Sequence, residues 1–189
     1  MFEAICFTVL VCGFVPRCAL ERIGSDEIRL RKILQIIGDC DYGIHDICRG
    51  VFGEPRLNMP FELGVYVGCR EFGGRGRKRK KLLILDNDPF RYRQALSDIA
   101  GQDVHAHGGQ VESAILHVRN WLSSFCEKPQ PSAGWIWDRC QWFRARLPEI
   151  CAECNFVRAE LTFIDYVYCV KYWLEFEVSR VESSANAII

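Results

Sequence analysis

Lys81-Leu-Leu-Ile-Leu-Asp86 sets four consecutive apolar residues between two charged ones. A strand with one face in water would alternate apolar and polar positions. This one is apolar on both faces, as a central strand of a parallel sheet must be when helices cover it on each side. Parallel neighbours cannot be joined by a tight hairpin, so the rest of the chain has to supply crossover helices. One hexapeptide therefore asks for an α/β fold.

The surrounding sequence supplies them. Tyr42 to Ile47 reads as a second strand, Asp103 to His107 as a weaker last one, and Phe14 to Cys18 as a short strand near the start. Ala4 to Gly13 reads as a helix stopped by glycine. Ser25 and Asp26 offer an N-cap for a helix whose stripe is Leu30, Ile33, Leu34 and Ile37. Pro60 to Cys69 reads as a short helix with Asn58 or Met59 at its cap and proline in the favoured first position. Val111, Ile115, Val118 and Leu122 line one face of a helix running to about Phe125. Alternating strand and helix signals predict an α/β domain over residues 1–126.

Glu127 to Gly134 contains two prolines and marks a boundary. Beyond it the period is purely helical, which predicts a helical extension over 127–189. Ile136, Cys140, Phe143 and Leu147 form one stripe. Thr162 and Asp165 have the spacing of a capping box ahead of Phe163, Val167, Val170 and Leu174. Four of the five tryptophans lie from residue 135 onward, so these helices must bury against the sheet domain or a second copy of it.

Charge and cysteine content narrow the classes. Lys plus Arg and Asp plus Glu number 24 each, so no global charge points to nucleic acid or an anionic membrane. The apolar run Ala4 to Val15 is preceded by Glu3 rather than by Lys or Arg, lacks an Ala-x-Ala site, and is short of the roughly 20 residues a membrane span needs. Eleven scattered cysteines, an odd number, suit a reducing cytoplasmic setting better than a disulfide framework. The basic stretch Glu71 to Lys81 reads as a solubilising loop, with a phosphate-contacting loop as the sharper alternative, for which its glycines supply no dinucleotide or P-loop motif.

The candidate chemistry sits at two acids. Asp46 ends the strand from Tyr42, and Glu62 lies near the start of the following helix, so both fall at the carboxyl edge where open α/β sheets bind ligands. Breaking an N-glycosidic bond builds positive charge at the anomeric carbon; a carboxylate can stabilise that charge, act as nucleophile or hold the sugar hydroxyls. Spacing does not assign the roles. Arg49 follows the strand end and its fork suits a phosphate. Gln102 and Asp103 are candidates for the pocket rim. His45 alternates to the face opposite Asp46 and reads as a packed histidine. His105 and His107 lack further spaced ligands, and Cys151 and Cys154 lack a second pair, so neither pair reads as a metal site.

Asn58-Met-Pro-Phe-Glu-Leu-Gly64 resembles the motif of bacterial Toll/interleukin-1-receptor-like (TIR-like) proteins and of nucleoside 2-deoxyribosyltransferases. The segments Pro16–Glu21, Tyr42–Arg49, Leu96–Asp103 and Leu161–Tyr166 extend a likeness to a group of bacterial proteins over nearly the whole chain, without bringing a function. The first resemblance implies a flavodoxin-like parallel sheet and attack on an N-glycosidic bond of NAD or a nucleotide. It implies Glu62 as the catalytic glutamate and Asp46 as the strand-end acid, beside which Arg49, Asn58, Gln102 and Asp103 read as substrate-binding positions. NAD would be substrate rather than cofactor, and no metal is called for. Membrane and nucleic-acid partners are not expected. Self-assembly and a place in antiphage defence belong to the same implication, as does a non-catalytic sensing or scaffold role. Members of that group begin with a strand ahead of the first helix, whereas Met1-Phe-Glu-Ala already reads as helix.

Overall fold

A computed structural model describes residues 1–21, 24, 28–48, 58–94, 96–99 and 101–186, with backbone alone at 94 and 177–186. Its sheet has three parallel strands, β1 (Tyr42–Asp46), β2 (Lys81–Asp86) and β3 (Val104–Ala106), in the order β1-β2-β3. The doubly apolar segment is the central one. Asp46 lies level with Leu85, and Asp86 with Ala106.

Alternation along β2 sends its side chains to two different cores. Leu83 and Leu85 face α1 (Phe2–Val11) and α4 (Val111–Ser123). Ile84 faces α3 (Asn58–Phe72), which packs through Leu63 on Ile47 and Tyr92 as well. All of these side chains are buried. Each contributes about 1.5–3 kcal/mol by leaving water. The result is an α/β layer structure of flavodoxin-like character, with a helical C-terminal extension.

That extension is α5 (Ala133–Glu153) and α6 (Phe163–Asn186). Its predicted stripe, Ile136, Cys140, Phe143 and Leu147, is buried in the same core as Phe7 of α1 and Val118 of α4. Phe7 lies between Phe143 and Trp173, its ring tilted against both, with centroids 5.5 and 5.8 Å away. The capping box forms: Asp165 Oδ2 accepts from the Thr162 backbone N–H at 2.9 Å and from its hydroxyl at 2.7 Å, while the Asp165 N–H returns to Thr162 Oγ1 at 3.2 Å.

Four expectations need correction. Residues 14–18 are not a strand, because among the described residues β1 pairs with β2 alone and offers them no ladder. Gly13, at φ +82°, does stop α1 as expected. Helix α2 (Arg29–Asp39) follows Ile28 without a side-chain cap; Ser25 and Asp26 lie outside the described residues. Its Leu30 and Leu34 are exposed because α2 packs mainly against α3 and never reaches the sheet core. Helix α3 opens at Asn58, so Pro60 is its third residue and Glu62 its fifth. Proline is tolerated there because the first four helical N–H groups have no intrahelical acceptor.

Lys80 departs furthest from its reading. It belongs to the basic loop, yet its side chain is buried. Its Nζ donates to Ile37 O at 2.6 Å, to Gly38 O at 3.4 Å and to Cys40 O, closing the carbonyl end of α2 where a cation meets the helix dipole. The Tyr66 ring lies 5.2 Å beneath the ammonium. The Tyr66 hydroxyl in turn reaches Lys81 O at 2.7 Å and Asp41 O at 3.0 Å. This knot fixes α2, α3 and the amino ends of two strands together.

Candidate functional site at the carboxyl edge of the sheet

Three successive strand tips carry polar residues: Asp46 on β1, Asp86 on β2, and His107 one residue beyond β3. Register places them side by side, and the His107 N–H donates to Asp86 O at 2.9 Å.

Asp46 is held by donors. His107 Nε2 lies 3.3 Å from its Oδ1, and the Cys48 backbone N–H donates to the same oxygen at 3.1 Å. Burial pushes the Asp46 carboxyl up, but the bonds from His107 and Cys48 together outweigh it and hold the group below its ordinary value of 3.8. The histidine's tautomer follows from its other nitrogen. Gly109 N–H donates to His107 Nδ1 at 3.0 Å, so a neutral ring carries its proton on Nε2, toward Asp46. His107 thus orients and stabilises an anionic Asp46.

The Asp46 carboxylate, the Cys48 thiol and the His107 ring place one potential ligand atom each within 4.8 Å of the others. They are the described residues that could hold a metal ion. The tautomer opposes it, because the nitrogen facing Asp46 is already protonated and the other already accepts a hydrogen bond.

Glu62 has different neighbours. It stands half-buried on α3, close to Asn58 and to Arg29 at the start of α2. Burial pushes its carboxyl above the ordinary value of 4.5, and the opposing pull of Asn58 and Arg29 is too weak to reverse that. Among the described residues no hydrogen bond or ion pair joins Glu62 to Asp46. The two approach from opposite sides of the sheet. His45 packs edge-on to Tyr66 of α3 at 5.3 Å, and Asp46, the next residue, turns toward the α1 and α4 side. His45 is the packed histidine expected, its pKa lowered by burial to about 4.

The remaining nominated positions are scattered. Asn58 is exposed at the first position of α3, beside Glu62. Gln102 and Asp103 precede β3 and so stand toward its amino end, away from Asp46 and His107. Arg49 lies outside the described residues. A hollow of about 310 Å³ lies on the C-terminal hairpin instead, lined by Trp142, Ile150, Trp173 and Phe176.

Two residues escaped the sequence reading. His107 carries one signal besides its spacing from His105: it lies just past the last strand, at the edge where parallel sheets gather polar side chains. Asp86 carries a comparable cue, its place at the tip of the central strand. All eleven cysteines are free thiols, and burial raises Cys6 and Cys169 to about 12, which removes them from nucleophilic chemistry. Among the described residues no helix is long and apolar enough to cross a membrane.

Comparison with family models, curated proteins and solved structures finds no match to this chain.

Proposed function

We propose that the chain binds NAD or a related nucleotide across the carboxyl tips of its parallel strands and acts on the N-glycosidic bond, with Glu62 as the catalytic carboxylate and Asp46 assisting. The observation carrying this reading is the opposite bias of the two acids: Glu62 is held toward its protonated form and Asp46 toward its anion. Two carboxyls driven apart in this way can divide acid and anionic roles in one reaction. A ligand lying over the strand tips meets side chains from both faces of the sheet, which is how residues on opposite sides serve one substrate.

In this mechanism the Asp46 anion, steadied by His107, stabilises the charge that builds on the sugar as the glycosidic bond lengthens. A purine or pyrimidine base would leave with a proton from Glu62; nicotinamide leaves NAD already neutral, so there Glu62, deprotonated, takes the proton of the water that replaces the base at the anomeric carbon. NAD enters as substrate. Self-association through the aromatic faces of α5 and α6, and service in antiphage defence, extend the same reading.

The test is release of free nicotinamide from NAD by the purified chain, with Glu62→Gln and Asp46→Asn alongside. Loss of turnover in Glu62→Gln with an unchanged melting temperature supports the assignment; equal rates in all three proteins refute it. One observation favours a second reading, a nucleotide-binding module without turnover: each acid has its own partners and none in common. That reading predicts ligand binding with no nicotinamide released.

A further inference from the structure

The even balance of 24 cations against 24 acids conceals a polarised chain. Seven of those cations and one of those acids fall within residues 70–81, so that stretch carries +6 and the remainder −6. The fold presents it as a fixed surface rather than a loose loop. The Gly73 N–H donates to Cys69 O at 3.0 Å and closes α3, and a Cβ on Gly73 would lie 2.8 Å from Arg77 Cγ, so the turn is folded tightly on itself. Arg75–Arg77 form one 3₁₀ turn behind Gly74, which takes φ +84°. Lys80, buried among the carbonyls that end α2, anchors the far end.

Two neighbouring acids are already used: Glu71 pairs with Arg70 at 2.8 Å and Asp41 with Arg79 at 3.0 Å. Among the described residues no carboxylate pairs with Arg75, Arg77, Lys78 or Lys81. Beside these four cations Phe72 ends α3 at 90% exposure, the most exposed large apolar side chain among the described residues. A phenylalanine so placed forgoes the stabilisation of burial, and what it offers instead is a bare aromatic face rimmed by unpaired positive charge.

We propose that this patch binds single-stranded nucleic acid, with a base stacked on Phe72 and the adjoining phosphates held by Arg75, Arg77, Lys78 and Lys81. A single strand supplies what the surface lacks, flat apolar faces alternating with negative charges. In a duplex the bases already stack on one another and leave Phe72 no partner. Seating Phe72 in an anionic membrane would draw the Glu71 carboxylate among like-charged headgroups and set a plane of anions against a protein whose remainder is −6. A strand is narrow enough to meet the patch alone. Net charge gave no sign of such a partner; the distribution of charge does. Lys81 opens β2 and Asp86 closes it, so the patch lies at the opposite edge of the sheet from the candidate site and is independent of how that site is read.

Fluorescence anisotropy of the whole chain with labelled oligouridylate tests this, with a duplex of equal length and phosphatidylserine vesicles as the other arms. Four phosphate contacts predict a log–log salt slope of about −3 for a single strand, so binding should weaken about fiftyfold between about 50 and 200 mM salt. Arg75→Gln combined with Lys78→Gln should roughly halve that slope. Phe72→Ala should weaken binding at least about fivefold and leave the slope unchanged, a separation that a merely solubilising run of charge would not show. No binding at the lower salt, a duplex bound as tightly as the single strand, vesicles bound in preference to it, or a Phe72→Ala protein equal to wild type overturns the assignment. The comparison among the three ligands needs only the wild-type chain, so it decides the matter even if a variant fails to fold.

Discussion

Replacing Lys80 with methionine should unfold this protein many degrees earlier, although it sits in a run of surface cations. The lysine donates to three carbonyls at the end of α2 and rests over Tyr66. Methionine has similar length and no donor, so the change strips the bonds without opening a large cavity. Bonds to a charged donor contribute about 1.5–3 kcal/mol each, but three sharing one ammonium do not add independently. Each carbonyl left without its donor costs about 1–3 kcal/mol, so with partial overlap the loss for the set is about 3–5 kcal/mol. For a chain of this size each kcal/mol moves the melting temperature by about 2–4 °C, so the loss is about 6–20 °C. Lys78, two residues earlier and exposed, is the control, and Lys78→Met should stay within about 0.5 kcal/mol of wild type. Thermal and urea unfolding of both variants measure this. A Lys80→Met protein as stable as Lys78→Met would refute the role of the ammonium as the cap of α2.

Other expectations follow from single contacts. His45 is buried with its pKa lowered from 6.5 to about 4, so the unfolded chain binds its proton first; stability should fall by on the order of 3 kcal/mol as pH drops from 6.5 toward 4. His45→Phe should flatten that part of the pH–stability curve. A methyl group on Gly43 would lie 2.6 Å from Tyr66 Cε2, so Gly43→Ala should cost about 1–3 kcal/mol in urea unfolding through displacement of that ring. Thr162→Ala removes the reciprocal cap of α6 and should cost about 1 kcal/mol by the same measurement.

The parts of the fold legible in the sequence were those with a strong local period. Lys81–Asp86 declared a central strand because nothing polar interrupts it, and Val111 to Leu122 declared a helix because its apolar residues recur on one face. Phe14 to Cys18 misled because strand propensity has no force without a neighbouring ladder, and the sequence does not say which edges pair. Leu30 and Leu34 misled for a related reason: an apolar stripe names a face, but the partner of that face is a tertiary matter. The burial of Lys80 could not be read at all, since the carbonyls it satisfies are 40 or more residues away in the chain. At the site, Asp46 and Glu62 were legible as acids near one sheet edge. Their separate partners and the support from His107 depend on parallel register, which local spacing does not encode.

The proposed chemistry needs two carboxyls biased in opposite directions, Asp46 at the tip of β1 and Glu62 on the first turns of α3. Residue-resolved ¹³C NMR titration of the side-chain carboxyls reads that bias directly. The expected result is a Glu62 midpoint above 4.5 and an Asp46 midpoint below 3.8. Both acids titrating at their ordinary values, or in the reverse order, would contradict the division of roles on which the proposed chemistry depends.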